Sequence, residues 1–228
     1  MKPMRRRLLA TRAVATMLTV LCVTPPASAQ AFHLEEATIS TIRAAFASGQ
    51  LTCAQLTKLY LDRIDAYNLK GPSLHAIITV NPQAMATAAE MDRQYRANPA
   101  GVGSHHCIPL VLKDNFNTAD MPTTGGNVSM KDSRPSADAF TVAKLRKAGA
   151  IILGKANLQE FARGGMSNSS LGGQVFNPYD LTRTPGGSSG GTGAAVAANL
   201  ALAGTGSDTG QSIRSPSSAN NLVGVRPT

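Results

Sequence analysis

The chain has 228 residues, 43% apolar, with only 4% aromatic residues and no tryptophan. Of its formal charge of +9, five basic residues (Lys2, Arg5, Arg6, Arg7 and Arg12) fall in residues 1–29, where no acidic residue offsets them. Without that segment the charge is +4, and no Lys/Arg cluster stands out. This excludes a basic nucleic-acid-binding face, and leaves Ala, Gly, Leu and Val to fill the core.

The basic start leads into an apolar run, Ala13 to Val23, and then into Ala27-Ser28-Ala29, a small-x-small cleavage pattern. Residues 1–29 therefore read as a secretory signal peptide. The apolar run is too short for a membrane anchor. Arg5-Arg6-Arg7 loosely resembles a twin-arginine signal, so the export route stays open. The expectation is a single domain over residues 30–228, periplasmic or extracellular, with no membrane attachment after cleavage at Ala29. Cys22 leaves with the signal. Cys53 and Cys107 remain and can pair in an oxidising compartment if the fold brings them close. There is no CxxC pattern, and adjacent residues of His105-His106-Cys107 point to opposite faces of a strand, so no metal site is expected.

Apolar residues at Ile39, Ile42, Ala45 and Phe46 predict a helix over Thr38 to Ser48, stopped by Gly49. Thr52 and Gln55 form a capping box for a second helix with Leu56, Leu59, Tyr60 and Ile64 on one face. Leu74 to Val80 reads as a strand. Pro82 suits a first helical position, ahead of an alanine-rich helix over Ala84 to Tyr95. Strands are predicted at Ile108 to Lys113, Ile151 to Leu153 and Leu200 to Gly204. Helices are predicted at Ala137 to Lys147, near Asn157 to Ala162, and at Gly193 to Leu200. Strands alternating with helices indicate an α/β fold with parallel pairs.

From Gly164 onward Gly, Ser, Thr and Asn dominate, and two serine-bearing glycine loops stand out: Gly186-Gly187-Ser188-Ser189-Gly190-Gly191 and Asp208-Thr209-Gly210-Gln211-Ser212. Gly186 and Gly191 have the spacing of a phosphate-binding loop, but Thr192 and Gly193 follow where a lysine is needed. Gly186 to Gly190 also fits the Gly-x-Ser-x-Gly nucleophile elbow, whose acid and histidine follow the serine. The histidines here, His33, His75, His105 and His106, all precede it. The other available base is Lys113, at the end of a predicted strand. Deprotonating a lysine of ordinary pKa at pH 7 costs roughly 4.6 kcal/mol, which burial or nearby positive charge would lower. Spacing alone favours the plainer alternative, a surface lysine beside Asp114.

Taken together, Ile108-Pro109-Leu110-Val111-Leu112-Lys113-Asp114-Asn115, Gly154-Lys155-Ala156-Asn157 through Ala162, Asn177-Pro178-Tyr179-Asp180, the double-glycine serine loop, and Gly206 through Thr228 resemble the amidase signature family in order and spacing. The resemblance runs from about Thr38 to Thr228. It implies a mixed β-sheet core flanked by helices, and hydrolysis of a small-molecule carboxylic amide to the acid and ammonia or an amine without a metal or organic cofactor. It implies a Ser-cisSer-Lys triad: Ser212 as nucleophile, Ser188 as bridging serine after a cis Gly187–Ser188 peptide, and Lys113 as base. Backbone N–H groups of Thr209, Gly210, Gln211 and Ser212 would form the oxyanion hole. Ser189, Asp208 and Arg214 are expected to support the loops, and Ser167 to lie near the lysine. Gln211 stands where the family usually has glycine, and Cys107 replaces another common glycine. Family members are longer, which implies that this chain is an N-terminal part with an incomplete sheet. The competing functions are a glutamyl-tRNA amidotransferase A-type subunit, which the export signal opposes, and a non-catalytic binding protein on the same scaffold.

Overall fold

Both N-terminal helices start as their capping patterns require. In the computed structural model, which describes residues 32–227, α1 spans Ile39–Ala47 and α2 spans Cys53–Tyr67. The Thr52 hydroxyl accepts from the Gln55 N–H while the Gln55 side chain caps back. Thr38 and Thr41 form a second such box at the head of α1. The predicted signal segment lies outside the described residues.

The remaining elements keep the predicted alternation with shifted bounds, and add two short strands at Asn168–Ser169 and Gly173–Gln174 and a helix at Arg214–Ala219 that were not predicted. They are β1 (Ile77–Val80), α3 (Ala84–Ala97), β2 (Pro109–Lys113), α4 (Phe140–Lys147), β3 (Ile151–Ala156), β4 (Asn168–Ser169), β5 (Gly173–Gln174), α5 (Gly190–Ala197), β6 (Ala203–Gly204) and α6 (Arg214–Ala219). Pro82 is not the first helical residue. It sits in a turn where the Asn81 carbonyl and side-chain oxygens accept from the Ala84 and Gln83 N–H groups. Helix α4 starts later than Ala137 because Asp138 is used elsewhere, accepting from the Ala119 N–H and pairing with Arg146. The helix expected near Asn157 shrinks to a 3₁₀ turn at Glu160–Ala162, with Phe161 and Ala162 at positive φ. In exchange β3 runs on through Ala156, past the predicted end at Leu153, so Lys155 belongs to a strand.

The main sheet has the order β1-β3-β2-β6 and is mixed. Strand β1 runs antiparallel to β3, whereas β2 is parallel to both β3 and β6. Every residue of β2 and β3 is buried, as expected for central strands covered on both faces. Ile42, Leu56, Tyr60 and Ile64 from the first two helices pack into the same core as Val111, Leu112, Ile151 and Leu153. Cys53, at the head of α2, and Cys107, just ahead of β2, form a disulfide with a Cα–Cα distance of 5.6 Å. In the chain-entropy account, closing a loop of this length stabilises the fold by about 4 kcal/mol. The close packing expected of a small-residue core is sharpest at Gly191. A β-carbon there would lie 2.1 Å from the Asn157 carbonyl oxygen and 2.7 Å from that of Ala76. Only glycine lets the first turn of α5 press onto the ends of β1 and β3.

Candidate active site

Lys113 is the last residue of β2, and its side chain is fully buried. Its backbone N–H donates to Thr205 Oγ1 at 3.1 Å, which ties the strand end to the loop after β6. Its Nζ donates to Ser188 Oγ at 2.7 Å and to Ser207 Oγ at 2.9 Å. No carboxylate touches it among the described residues. Burial pushes the amine down to about 8, against the attraction of Asp208. The Asp114 carboxylate pairs not with it but with Lys155 Nζ, at 2.9 Å.

Ser188, also fully buried, follows a cis Gly187–Ser188 peptide. The loop that carries it is held along its length. The Ser188 carbonyl accepts from the Gln159 N–H at 2.9 Å, and the Ser189 N–H donates to the Ser212 carbonyl at 3.2 Å. Gly187 lies flat on Gly165, where a β-carbon would come within 2.7 Å of the Gly165 carbonyl carbon. Ser167 is buried beside the serine loop. Its hydroxyl donates to the Gly186 carbonyl at 2.8 Å and accepts from the Gly190 N–H at 2.9 Å, stapling the two ends of the serine loop rather than contacting the lysine. Ser189 acts as a neighbour, its hydroxyl donating to the Ser207 carbonyl at 3.4 Å.

The second loop runs from β6 into α6. The Asp208 carboxylate accepts from the N–H groups of Ile213 (3.0 Å) and Arg214 (3.2 Å) and from Arg214 Nε (3.1 Å). The Arg214 guanidinium, with those hydrogen bonds, holds the Asp208 carboxyl well below the usual carboxylate range. Arg214 Nη2 also donates to the Gly210 carbonyl. This clamp closes the turn that contains Ser212. Among the described residues, the N–H groups of Thr209, Gly210, Gln211 and Ser212 have no protein acceptor, and the Ser212 and Ser188 hydroxyls are not hydrogen-bonded to each other. The Gln211 side chain is exposed, with Nε2 reaching within 3.2 Å of where a β-carbon on Gly165 would lie. It thus reaches the segment on which Gly187 packs.

Lys113, Ser188 and the Ser212 turn therefore converge, with Asp208 and Arg214 bracing the turn. Sequence reasoning missed Ser207. It was one polar residue in a loop full of them, although it directly precedes Asp208, which was singled out.

The Amidase family profile matches residues 55–228. The A-type subunit of glutamyl-tRNA(Gln) amidotransferase from Halorhodospira halophila (strain DSM 244 / SL1) is 43% identical over 196 residues, which are 86% of this chain and 40% of that protein. The peptide amidase PAM, solved in complex with the competitive inhibitor chymostatin, superposes with a TM-score of 0.82 at 44% identity, covering 86% of this chain and 41% of the other. The native peptide amidase from Stenotrophomonas maltophilia gives a TM-score of 0.75 at 43% identity, over 78% of this chain and 37% of the other. The chain thus spans about 40% of the length of the relatives it matches. The mixed sheet, the buried lysine against a serine loop and these matches lead to one conclusion: the chain belongs to the amidase family.

Proposed function

We propose that the protein hydrolyses a small-molecule carboxylic amide through a serine acyl-enzyme, with Lys113 as base, Ser188 as relay and Ser212 as nucleophile. The observation that carries this reading is the 2.7 Å contact between Lys113 Nζ and Ser188 Oγ in a fully buried setting. A lysine in that setting, with its pKa near 8, spends about a tenth of its time neutral at pH 7.

The neutral amine offers its lone pair to the Ser188 hydroxyl proton. Ser188 in turn takes the proton of Ser212, once the Ser212 hydroxyl turns onto Ser188 Oγ. The Ser212 oxygen attacks the amide carbonyl and forms the C–O bond of a tetrahedral intermediate. The free N–H groups of Thr209 to Ser212 supply donors for the developing oxyanion, each worth about 3–4 kcal/mol in such a role. The proton held on Lys113 passes back through Ser188 to the leaving nitrogen as the C–N bond breaks. Water then attacks the ester by the same relay and releases the acid. No cofactor enters this scheme.

The exported location belongs to the same proposal and rests on the pattern of residues 1–29. The amidotransferase reading is favoured by the identity to proteins of that name. It predicts activity that depends on tRNA and partner proteins.

The test is fluorophosphonate labelling of the full-length protein beside ammonia release from a panel of amides. Labelling and hydrolysis should both vanish in Ser212→Ala. Labelling that persists in that variant sinks the nucleophile assignment. Ammonia release that requires tRNA moves the protein to the amidotransferase reading.

A further inference from the structure

We propose that Ser207 and Asn115 form a positioning pair that aims the Lys113 amine at Ser188. This rests on the reading of Lys113 as the base and adds residues to that site.

Lys113 Nζ reaches two hydroxyls, Ser188 at 2.7 Å and Ser207 at 2.9 Å. A neutral amine has two N–H donors and one lone pair, so which hydroxyl receives the lone pair decides whether the relay works. Asn115 Nδ2 donates to the same Ser207 oxygen at 3.0 Å. The Asn115 amide thus occupies one lone pair of that oxygen and leaves the other to accept from the lysine. A Lys113 N–H directed onto Ser207 leaves the amine lone pair for Ser188. Asn115 stands two residues beyond Lys113, and Ser207 is carried by the loop whose Thr205 accepts from the Lys113 backbone N–H. The pair therefore joins the end of β2 to the nucleophile loop at the point where the proton must move.

Among the described residues, few charged groups surround Lys113. Asp208 attracts the lysine from the same loop, its carboxylate clamped by Arg214. Asp114 and Lys155 pair with each other. Residues 112 and 155 are neighbours in register, as are 113 and 156, so Lys155 lies on the opposite face of the sheet from Lys113. The balance between ammonium and amine at Lys113 is thus open to adjustment by a single hydroxyl.

The experiment follows the pH dependence of amide hydrolysis and of fluorophosphonate labelling in full-length protein. Ser207→Ala removes an acceptor that favours the ammonium. The acid limb should move down by about half to one pH unit, and the plateau rate should fall about tenfold because the amine is no longer aimed. KM should hold. Ser207→Thr keeps the hydroxyl and should restore both limb and plateau. Asn115→Asp places a carboxylate beside the same oxygen and should move the limb upward. Opposite movements of the limb at unchanged thermal stability support the pair; a purely structural role predicts no such opposition. Unmoved limbs in an active enzyme, or failure of Ser207→Thr to rescue, overturn the inference while leaving the amidase reading intact. If Ser207→Ala does not fold, Asn115→Asp decides alone, and a limb that stays in place overturns the pair. A wild type that neither labels nor hydrolyses removes the functional reading and this inference with it.

Discussion

Lys113 and Lys155 stand at the ends of neighbouring parallel strands, both fully buried, and the chain treats them in opposite ways. Lys155 meets a carboxylate, Asp114, at 2.9 Å, together with the Pro122 carbonyl at 2.9 Å and Thr123 Oγ1 at 2.8 Å. Asp114 is itself held, accepting from the Thr124 backbone N–H at 3.2 Å and from the Thr124 hydroxyl. Among the described residues, the Lys113 amine hydrogen-bonds only to two hydroxyls. Burial lowers both amines; at Lys155 the carboxylate in contact, Asp114, opposes that shift, whereas at Lys113 Asp208 opposes it without touching the amine. A paired ammonium fastens structure, whereas a buried amine facing a serine hydroxyl can accept a proton. The difference comes from one-residue alternation along a strand, which sends the two side chains to opposite faces.

The largest expected contrast is between the two Lys→Met variants. Lys113→Met should cost about a thousandfold or more in amide turnover at pH 7. Its stability should stay within about 1 kcal/mol of wild type, because the loss of two hydrogen bonds is offset by removing a poorly solvated amine. Lys155→Met should do the reverse and destabilise the fold by on the order of 3–5 kcal/mol, by leaving Asp114 buried without its cation. Urea unfolding and turnover on the same preparations check both. Equal loss of stability in the two variants would erase the distinction.

A smaller effect sharpens the same comparison. With Lys113 near 8, turnover should rise about tenfold per pH unit below that value and level off above it. The stability contribution has a definite sign. A lysine whose folded pKa is depressed binds fewer protons in the folded state than in the unfolded one. Lys113 therefore costs stability below about 8, and the cost fades as pH rises from there toward the ordinary lysine value. Turnover profiles and denaturant midpoints measured from about pH 6 to 10 test both statements. A flat rate profile would mean that Lys113 is not the group that titrates.

Much of this site could be read from residue order, and what could not has a physical cause. Lys113 at a strand end and Ser188 between glycines were visible because strand pattern and loop chemistry are local. The capping box at Thr52 and Gln55 was visible for the same reason. The partner of Asp114 was not. Adjacency suggested Lys113, but sheet register delivered Lys155 from β3, a strand predicted to end at Leu153. The bonds that Ser167 makes were not legible for a similar reason: they depend on how the serine loop folds back on the segment before it. Ser207 escaped because nothing local separates a polar loop residue that meets a buried amine from one that meets water. The approach of Cys53 to Cys107 was likewise a matter of tertiary packing.

Asp114→Asn is the smallest change that breaks the comparison, since it converts the Lys155 site into a second version of the Lys113 site. The amide keeps nearly the same volume and can still accept from the Thr124 hydroxyl, so packing is retained. What is lost is the charge that opposes desolvation of Lys155. The folded-state pKa of Lys155 should fall further, and stability at neutral pH should drop by about 1–3 kcal/mol. Because the folded state then holds fewer protons than the unfolded chain, the deficit should shrink as pH rises from neutral toward the ordinary lysine value. Turnover should change far less than in Lys113→Met, because the altered pair lies across the sheet from Ser188. A deficit that stayed flat over that range would mean that Asp114 contributes through its hydrogen bonds to Thr124 rather than through its charge on Lys155.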